Sequence, residues 1–190
     1  MNYKTLRLPQ ISALLVLFLL SGSANLAVAQ QSPPDWKVAS PYPDNPLKQA
    51  TLSGKATHGP LSDKAEMQLE CRPDADGPRL NLISVPAQLK FDADPFEGPG
   101  GLGERVKLRL TLGNATWSHG FSGYYVDGKA FAFSFALSDA EARGMANRLA
   151  PSVTVAVEPA KKGTPLVFHF DLPPASAAVS SMIAPCLNRR

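Results

Sequence analysis

Four stretches of this chain alternate apolar and polar residues with a period of two. Met67, Leu69 and Cys71 alternate with Gln68, Glu70 and Arg72. Val106, Leu108, Leu110 and Leu112 alternate with Lys107, Arg109 and Thr111. Val153, Val155 and Val157 form a third set, and Leu166, Phe168, Phe170 and Leu172 a fourth, broken by Val167, His169 and Asp171. Successive side chains of a strand point to opposite faces, so a two-residue period marks a strand with one buried face. Such strands have to share a core beneath a sheet. Pro- and Gly-bearing turns separate them, and no strand–helix–strand alternation runs through the chain. The expected fold is therefore mainly β (α+β): an antiparallel β-sandwich or partly closed barrel with two short helices.

The helices have their own signals. Ser138-Asp-Ala-Glu141 fits a capping box, in which Ser and Glu satisfy each other's backbone N–H groups. Ala142, Met145, Ala146 and Leu149 follow as an apolar stripe at helical spacing, and Pro151 ends it. The second helix follows Pro173-Pro174, with Ala178, Val179, Met182 and Ile183 inward, and stops at Pro185.

Residues 119–135 read HGFSGYYVDGKAFAFSF. Asp127-Gly128 between two β-prone runs signals a two-residue hairpin, because that turn needs positive φ at both central positions. Counting outward sets Val126 opposite Lys129, Tyr125 opposite Ala130, Tyr124 opposite Phe131 and Ser122 opposite Phe133. Phe131, Phe133 and Phe135 then share a face with Tyr124 and Ser122. Trp117, His119, Phe121 and Tyr125 fall on the other face. Aromatic residues turned away from a core mark binding surfaces, so Trp117, His119 and Tyr125 are the candidate binding residues.

The first 29 residues have the pattern of a secretory signal: Lys4 and Arg7 at the start, the short apolar run ISALLVLFLL over 11–20, and an exit at Ala27-Val28-Ala29. The run is about half of the roughly 20 residues that a bilayer span needs. Cleavage there leaves residues 30–190 as one domain: an N-terminal segment with weak edge strands (30–66, with Trp36–Ala39 and Ala50–Lys55 as candidates) and a β-rich core (67–190). Lys4 and Arg7 belong to the signal, so the 19 basic residues fall to 17, against 16 acidic ones. That near balance, without a basic block, argues against nucleic acid as a partner. Both cysteines, Cys71 and Cys186, follow the signal. In an oxidising compartment they are expected to form one disulfide closing a loop of roughly 115 residues. The periplasm or the exterior is the expected location.

Several apparent motifs fail their structural requirements. A nucleophile elbow needs G-x-S-x-G on a strand-to-helix turn, whereas Gly120-Phe121-Ser122-Gly123 leads into a hairpin. GPGGLG (98–103) matches G-x-G-x-x-G, but a strand follows instead of the helix whose N-terminus would hold a pyrophosphate. Asp92, Asp94 and Glu97 lack the sixth-place Gly and twelfth-place acid of a calcium loop and read as a solvated loop. His169 and Asp171 share a strand face but have no third ligand at metal-binding spacing. Asn114-Ala-Thr116 is a glycosylation sequon for which no glycan is expected in a bacterial export product. No catalytic residues, metal ligands or cofactors are predicted.

The order of features resembles one-disulfide periplasmic accessory proteins of Gram-negative bacteria, the TagO-like type VI secretion-associated and invasion-locus-B-like group. The likeness covers residues 67–187: Cys71 in an early strand, a strand with Trp117, the hairpin at Val126–Phe135, and a helix within Leu137–Leu149. It continues through the strand pair Val153–Leu172, which ends in Phe170-Asp171-Leu172, to a short helix and the final Cys186. Pro173-Pro174 stands where the group usually has glycine. The resemblance implies a non-enzymatic accessory domain of the envelope and transfers no site residues. The membrane-bound/C-type lysozyme inhibitors are similar in size and class, but their Ser-Gly-x-x-Tyr loop is not matched, since Tyr124, Tyr125 and Val126 follow Ser122-Gly123. The expected function is an exported, non-enzymatic binding or accessory protein of the bacterial envelope that binds another protein. The alternatives are an inhibitor of a hydrolase such as lysozyme, and a hydrolase using His119, His169 or Asp171.

Overall fold

The computed structural model describes residues 34–188, so the expected signal segment lies outside the described residues. Ten strands form one antiparallel sheet: β1 (Lys37–Ala39), β2 (Lys48–His58), β3 (Leu61–Cys71), β4 (Arg79–Ser84), β5 (Leu108–Leu112), β6 (Ala115–His119), β7 (Ser122–Val126), β8 (Ala130–Ala136), β9 (Ser152–Val157) and β10 (Leu166–Asp171). The order across the sheet is β6-β5-β9-β10-β2-β3-β4-β8-β7. β1 and β10 share one edge of β2: Lys37 lies opposite Thr51, and Leu166 opposite His58. The segment expected to form weak edge strands thus contributes β2, an 11-residue strand in the middle of the sheet. Its alternation is masked by small residues: the inward positions are Ala50, Leu52, Gly54 and Ala56, and a Cβ on Gly54 would lie 2.3 Å from the Phe170 ring.

The first and last strands of this order, β6 and β7, are consecutive in the chain. Only Gly120 and Phe121 separate them. Three peptide steps span at most ~11 Å, so the two edges of the sheet have to meet and the sheet has to curl. The result is the half-barrel expected as a partly closed barrel. Its inner face carries Leu52, Met67, Leu69, Leu82, Leu110, Val155, Phe133 and Phe168, all essentially inaccessible.

Helices close one end. α2 (Asp139–Ala146) packs on β5 and on α3 (Ala177–Ile183), which also touches β1, β2 and β3. The capping box at Ser138 and Glu141 is present. Leu149, expected on the buried stripe of α2, is 75% exposed. The helix stops at Ala146 and Arg148 takes a left-handed φ of 53°, which swings Leu149 off the helical face. A four-residue helix, α1 (Pro86–Leu89), was not predicted. Cys71, at the end of β3, is bonded to Cys186, just past α3, with Cα atoms 5.7 Å apart. Among the described residues no helix is long and apolar enough to cross a membrane.

The β7–β8 register differs from the expected one. Val126 lies opposite Ala130, Tyr125 opposite Phe131, Gly123 opposite Phe133 and Ser122 opposite Ser134. Asp127 and Gly128 both have positive φ, as the turn signal required, but Lys129 joins the loop as a third residue and moves the pairing by one. A one-residue slip exchanges the two faces of a strand. Tyr125 and Gly123 therefore share the inner face with Phe131 and Phe133, and Tyr124 and Ser122 turn outward.

Candidate functional site

The corner at Gly120–Phe121 leaves two wedges in the barrel wall, because 115–119 pairs with β5 while 122–126 pairs with β8. The chain fills the wedge beside β7 itself. Glu97 bridges Gly123, the Gly98 N–H donates to the Gly123 carbonyl at 2.9 Å, and the Phe121 N–H donates to the Gly103 carbonyl at 2.9 Å. Phe96 plugs the space, with its ring stacked on Phe91 at 5.9 Å and tilted against Phe121 at 5.5 Å. The GPGGLG segment thus works as a plug. Its only helical piece is the single 3-10 turn Leu102–Glu104.

The wedge beside β6 is open. The β7–β8 ladder ends at the Ser122–Ser134 pair, so among the described residues Phe135 and Ala136 have no strand partner on that side. What remains is a cleft of about 650 Å³ with Trp117, Ser118, His119 and Gly120 on one wall and Asp76, Ala136, Ser138 and Glu141 on the other. Among the described residues β6 forms a free sheet edge along it.

His119 and Glu141 join the two walls. His119 ends β6, and its ring lies over Phe135 with centroids 5.0 Å apart. Its Nε2 meets Glu141 Oε1 at 2.6 Å. Glu141 is fully buried, and its other oxygen accepts from the Ser138 backbone N–H at 2.7 Å and the Ser138 hydroxyl at 2.5 Å. Burial pushes the Glu141 carboxyl up, but the hydrogen bonds from His119 and Ser138 outweigh it and hold the group below the usual carboxylate range. A buried charge needs such partners.

This arrangement can orient an imidazole, as a carboxylate does in many acid–base sites. It lacks the contact that nucleophilic catalysis uses, since the Ser138 hydroxyl is directed to Glu141 and not to His119. Ser122 sits on β7, with its Oγ 3.5 Å from the Ser134 carbonyl. Among the described residues no group of three His, Cys, Asp or Glu side chains could hold a metal ion.

Of the three candidate binding residues, Trp117 and His119 line the cleft and Tyr125 does not. Trp117 and Tyr125 are half-buried against the core. Tyr125 lies at the plugged wedge, its ring edge-on to Phe131 at 5.0 Å and its hydroxyl donating to Asp94. Phe121 is core. His169 and Asp171 do pair, with Nε2 3.3 Å from Oδ1, but on the outer face of β10, with Thr154 Oγ1 3.3 Å from His169 Nδ1. His119 points inward, so His119, His169 and Asp171 do not converge. The sequence reading missed Glu141, Ser138 and Asp76 as parts of the site. The capping box revealed the first two as helix-forming residues, but nothing local ties Glu141 to a histidine 22 positions earlier.

No family model matches this chain, and neither does a curated protein or a solved structure.

Proposed function

We propose that this chain is an exported, non-enzymatic binding protein of the bacterial envelope, located in the periplasm, that captures an extended segment of another protein along the free edge of β6. The open wedge carries the reading. The chain fills the equivalent wedge beside β7 with its own residues 94–104 and leaves the β6 side free. An exposed edge offers unpaired backbone donors and acceptors to an incoming strand, and adjacent side-chain pockets supply specificity. Here Trp117 offers an aromatic wall, and His119 and Asp76 offer polar contacts. The Cys71–Cys186 disulfide fits an oxidising compartment, and the resemblance to periplasmic accessory proteins points the same way.

The tight turn at Gly113-Asn114 makes Leu112 and Ala115 a bonded pair. By the alternation of an antiparallel ladder, Thr116 and Ser118 then turn their N–H groups away from β5. Ser118→Pro should remove an edge donor and leave the β5 ladder intact. The test is affinity capture from envelope extract with the mature protein, followed by hydrogen exchange on the complex. Protection confined to β6, with loss of capture by Ser118→Pro at unchanged melting temperature, supports the reading. Capture that Ser118→Pro leaves intact overturns it.

A second reading, a hydrolase using His119 as base, rests on the His119–Glu141 pair. Turnover of a substrate, lost in a folded His119→Ala variant, would establish it in place of the first.

A further inference from the structure

A second concavity lies at the other end of the barrel. β2 runs from Lys48, opposite Cys71 near the disulfide, to His58, opposite Leu61. Ten residue steps at ~3.3 Å put His58 roughly 33 Å away along the strand. Around His58 the β9–β10 turn and the segment after α1 enclose a pocket of about 240 Å³, whose polar lining includes His58, Lys90, Asp92, Lys161, Lys162 and Thr164.

The charges there are not neutralised internally. Lys90, Lys161 and Lys162 take part in no ion pair among the described residues. Glu158, just before Lys161, is already taken by Arg109 at 2.6 Å. Asp92 is the one carboxylate in the lining. Three lysines against one aspartate leave two formal positive charges facing one small space. His58 is held in place: its Nδ1–H donates to the Leu89 carbonyl at 2.9 Å and its ring stands edge-on to Phe91 at 5.4 Å. Lys90 occupies the left-handed position after α1, with φ 51°, a place that helix ends usually give to glycine or asparagine.

We propose that this pocket binds a phosphate group of a phosphorylated ligand. Two net positive charges match a phosphate dianion. Lysine ammonium groups and the Thr164 hydroxyl can donate hydrogen bonds to its oxygens, and lysine serves phosphate as a point-charge partner. The pocket is large enough for the headgroup and too small for a long polymer. It is separate from the β6 cleft, so a failure at either site leaves the other standing.

The phosphate can come from a soluble metabolite or from a lipid headgroup, and the experiment distinguishes them. The mature protein, labelled for amide NMR, is titrated with inorganic phosphate and glycerol phosphate at low salt. Separately it is sedimented with phosphatidylcholine vesicles with and without phosphatidic acid. Saturable shifts at His58, Lys90 and Gly163 are expected. Lys161→Gln combined with Lys162→Gln should weaken binding by at least about tenfold at low salt, since even in water a single ammonium a few ångströms from a dianion is worth that much. Asp92→Asn should tighten it. Lys129→Gln, at the hairpin tip, should leave it unchanged. Phosphatidic-acid-dependent sedimentation identifies the lipid source, and its absence beside saturable shifts identifies the soluble one. The proposal is overturned by unsaturable or absent shifts together with no sedimentation, or by Lys129→Gln weakening binding as much as the double variant.

Discussion

His119 Nε2 and Glu141 Oε1 lie 2.6 Å apart, joining the last residue of β6 to the first turn of α2 across the floor of the open cleft. Glu141 at once closes the capping box and holds the strand that ends at the barrel corner. Its removal should therefore cost more than a lost cap, which is typically ~1 kcal/mol. Loss of one partner from a buried pair adds to that. Glu141→Ala should lower the unfolding free energy by about 2–3 kcal/mol in urea titration. A loss within ~0.5 kcal/mol, the range of ordinary surface substitutions, would show that the pair does not hold the corner.

The same pair sets an acid dependence. The folded carboxyl lies below its usual range, so as pH falls through that range the unfolded chain takes up the proton first. Stability from Glu141 is present above the ordinary carboxylate pKa and is lost as pH falls through the lower, folded one. Glu141→Gln should flatten this limb of the stability–pH curve. Urea unfolding of both proteins across the acid range measures it, and parallel curves would mean that other carboxylates carry the limb.

The disulfide joins residues 115 positions apart. Closing so long a loop in the unfolded chain is worth up to ~4–5 kcal/mol in the chain-entropy account, and removals from small domains cost ~2–5 kcal/mol. The Cys71→Ser, Cys186→Ser double variant should lose stability in that range. Thiol labelling of the native protein is the companion test: Cys71 and Cys186 should not react without a reductant.

The parts of the fold that were legible in the sequence have strong local signals. Leu108–Leu112, Val153–Val157 and Leu166–Leu172 declared their faces by alternation, and Ser138–Glu141 declared a helix start. β2 stayed hidden because its inward residues Ala50, Gly54 and Ala56 are small, and at Gly54 the Phe170 ring fills the place of a side chain. The β7–β8 pairing failed by one residue because Lys129 entered the loop, and a strand with period two turns any such slip into a change of face. Alternation put Trp117 and His119 on one face of a strand but chose the wrong side: they were expected to face away from Phe131, Phe133 and Phe135, whereas the His119 ring lies over Phe135 and Trp117 packs against the core. Glu141 and Asp76 come from other elements, and only the closing of the sheet at Gly120–Phe121 brings them to the cleft.

Gly123 is a further test of the corner. A Cβ there would lie 2.4 Å from the Phe131 ring and 2.6 Å from the Phe96 carbonyl, so Gly123→Ala has to displace either the core ring or the plug. Overpacking of this kind costs ~1–3 kcal/mol. Hydrogen exchange should quicken at the Gly98 amide, whose acceptor is the Gly123 carbonyl, and unchanged exchange there would mean that the plug does not depend on the close approach.

Tyr125 reports on the plugged wedge from the solvent side. Its hydroxyl donates to Asp94, and that bond, with burial and the nearby carboxylates of Asp94, Glu97 and Asp92, pushes the phenol from 10.0 up to about 12. The folded phenol keeps its proton better than the unfolded one. The bond's contribution is therefore present below the ordinary tyrosine range and disappears as pH rises toward 12. In an ultraviolet titration of the folded protein, one tyrosine should ionise near pH 12. Asp94→Asn should bring it back toward 10, because the amide removes both the charge and the strongest acceptor. If Asp94→Asn leaves the titration unchanged, Tyr125 is not tied to the 94–104 plug, and the contrast between a filled wedge beside β7 and an open one beside β6 loses one of its supports.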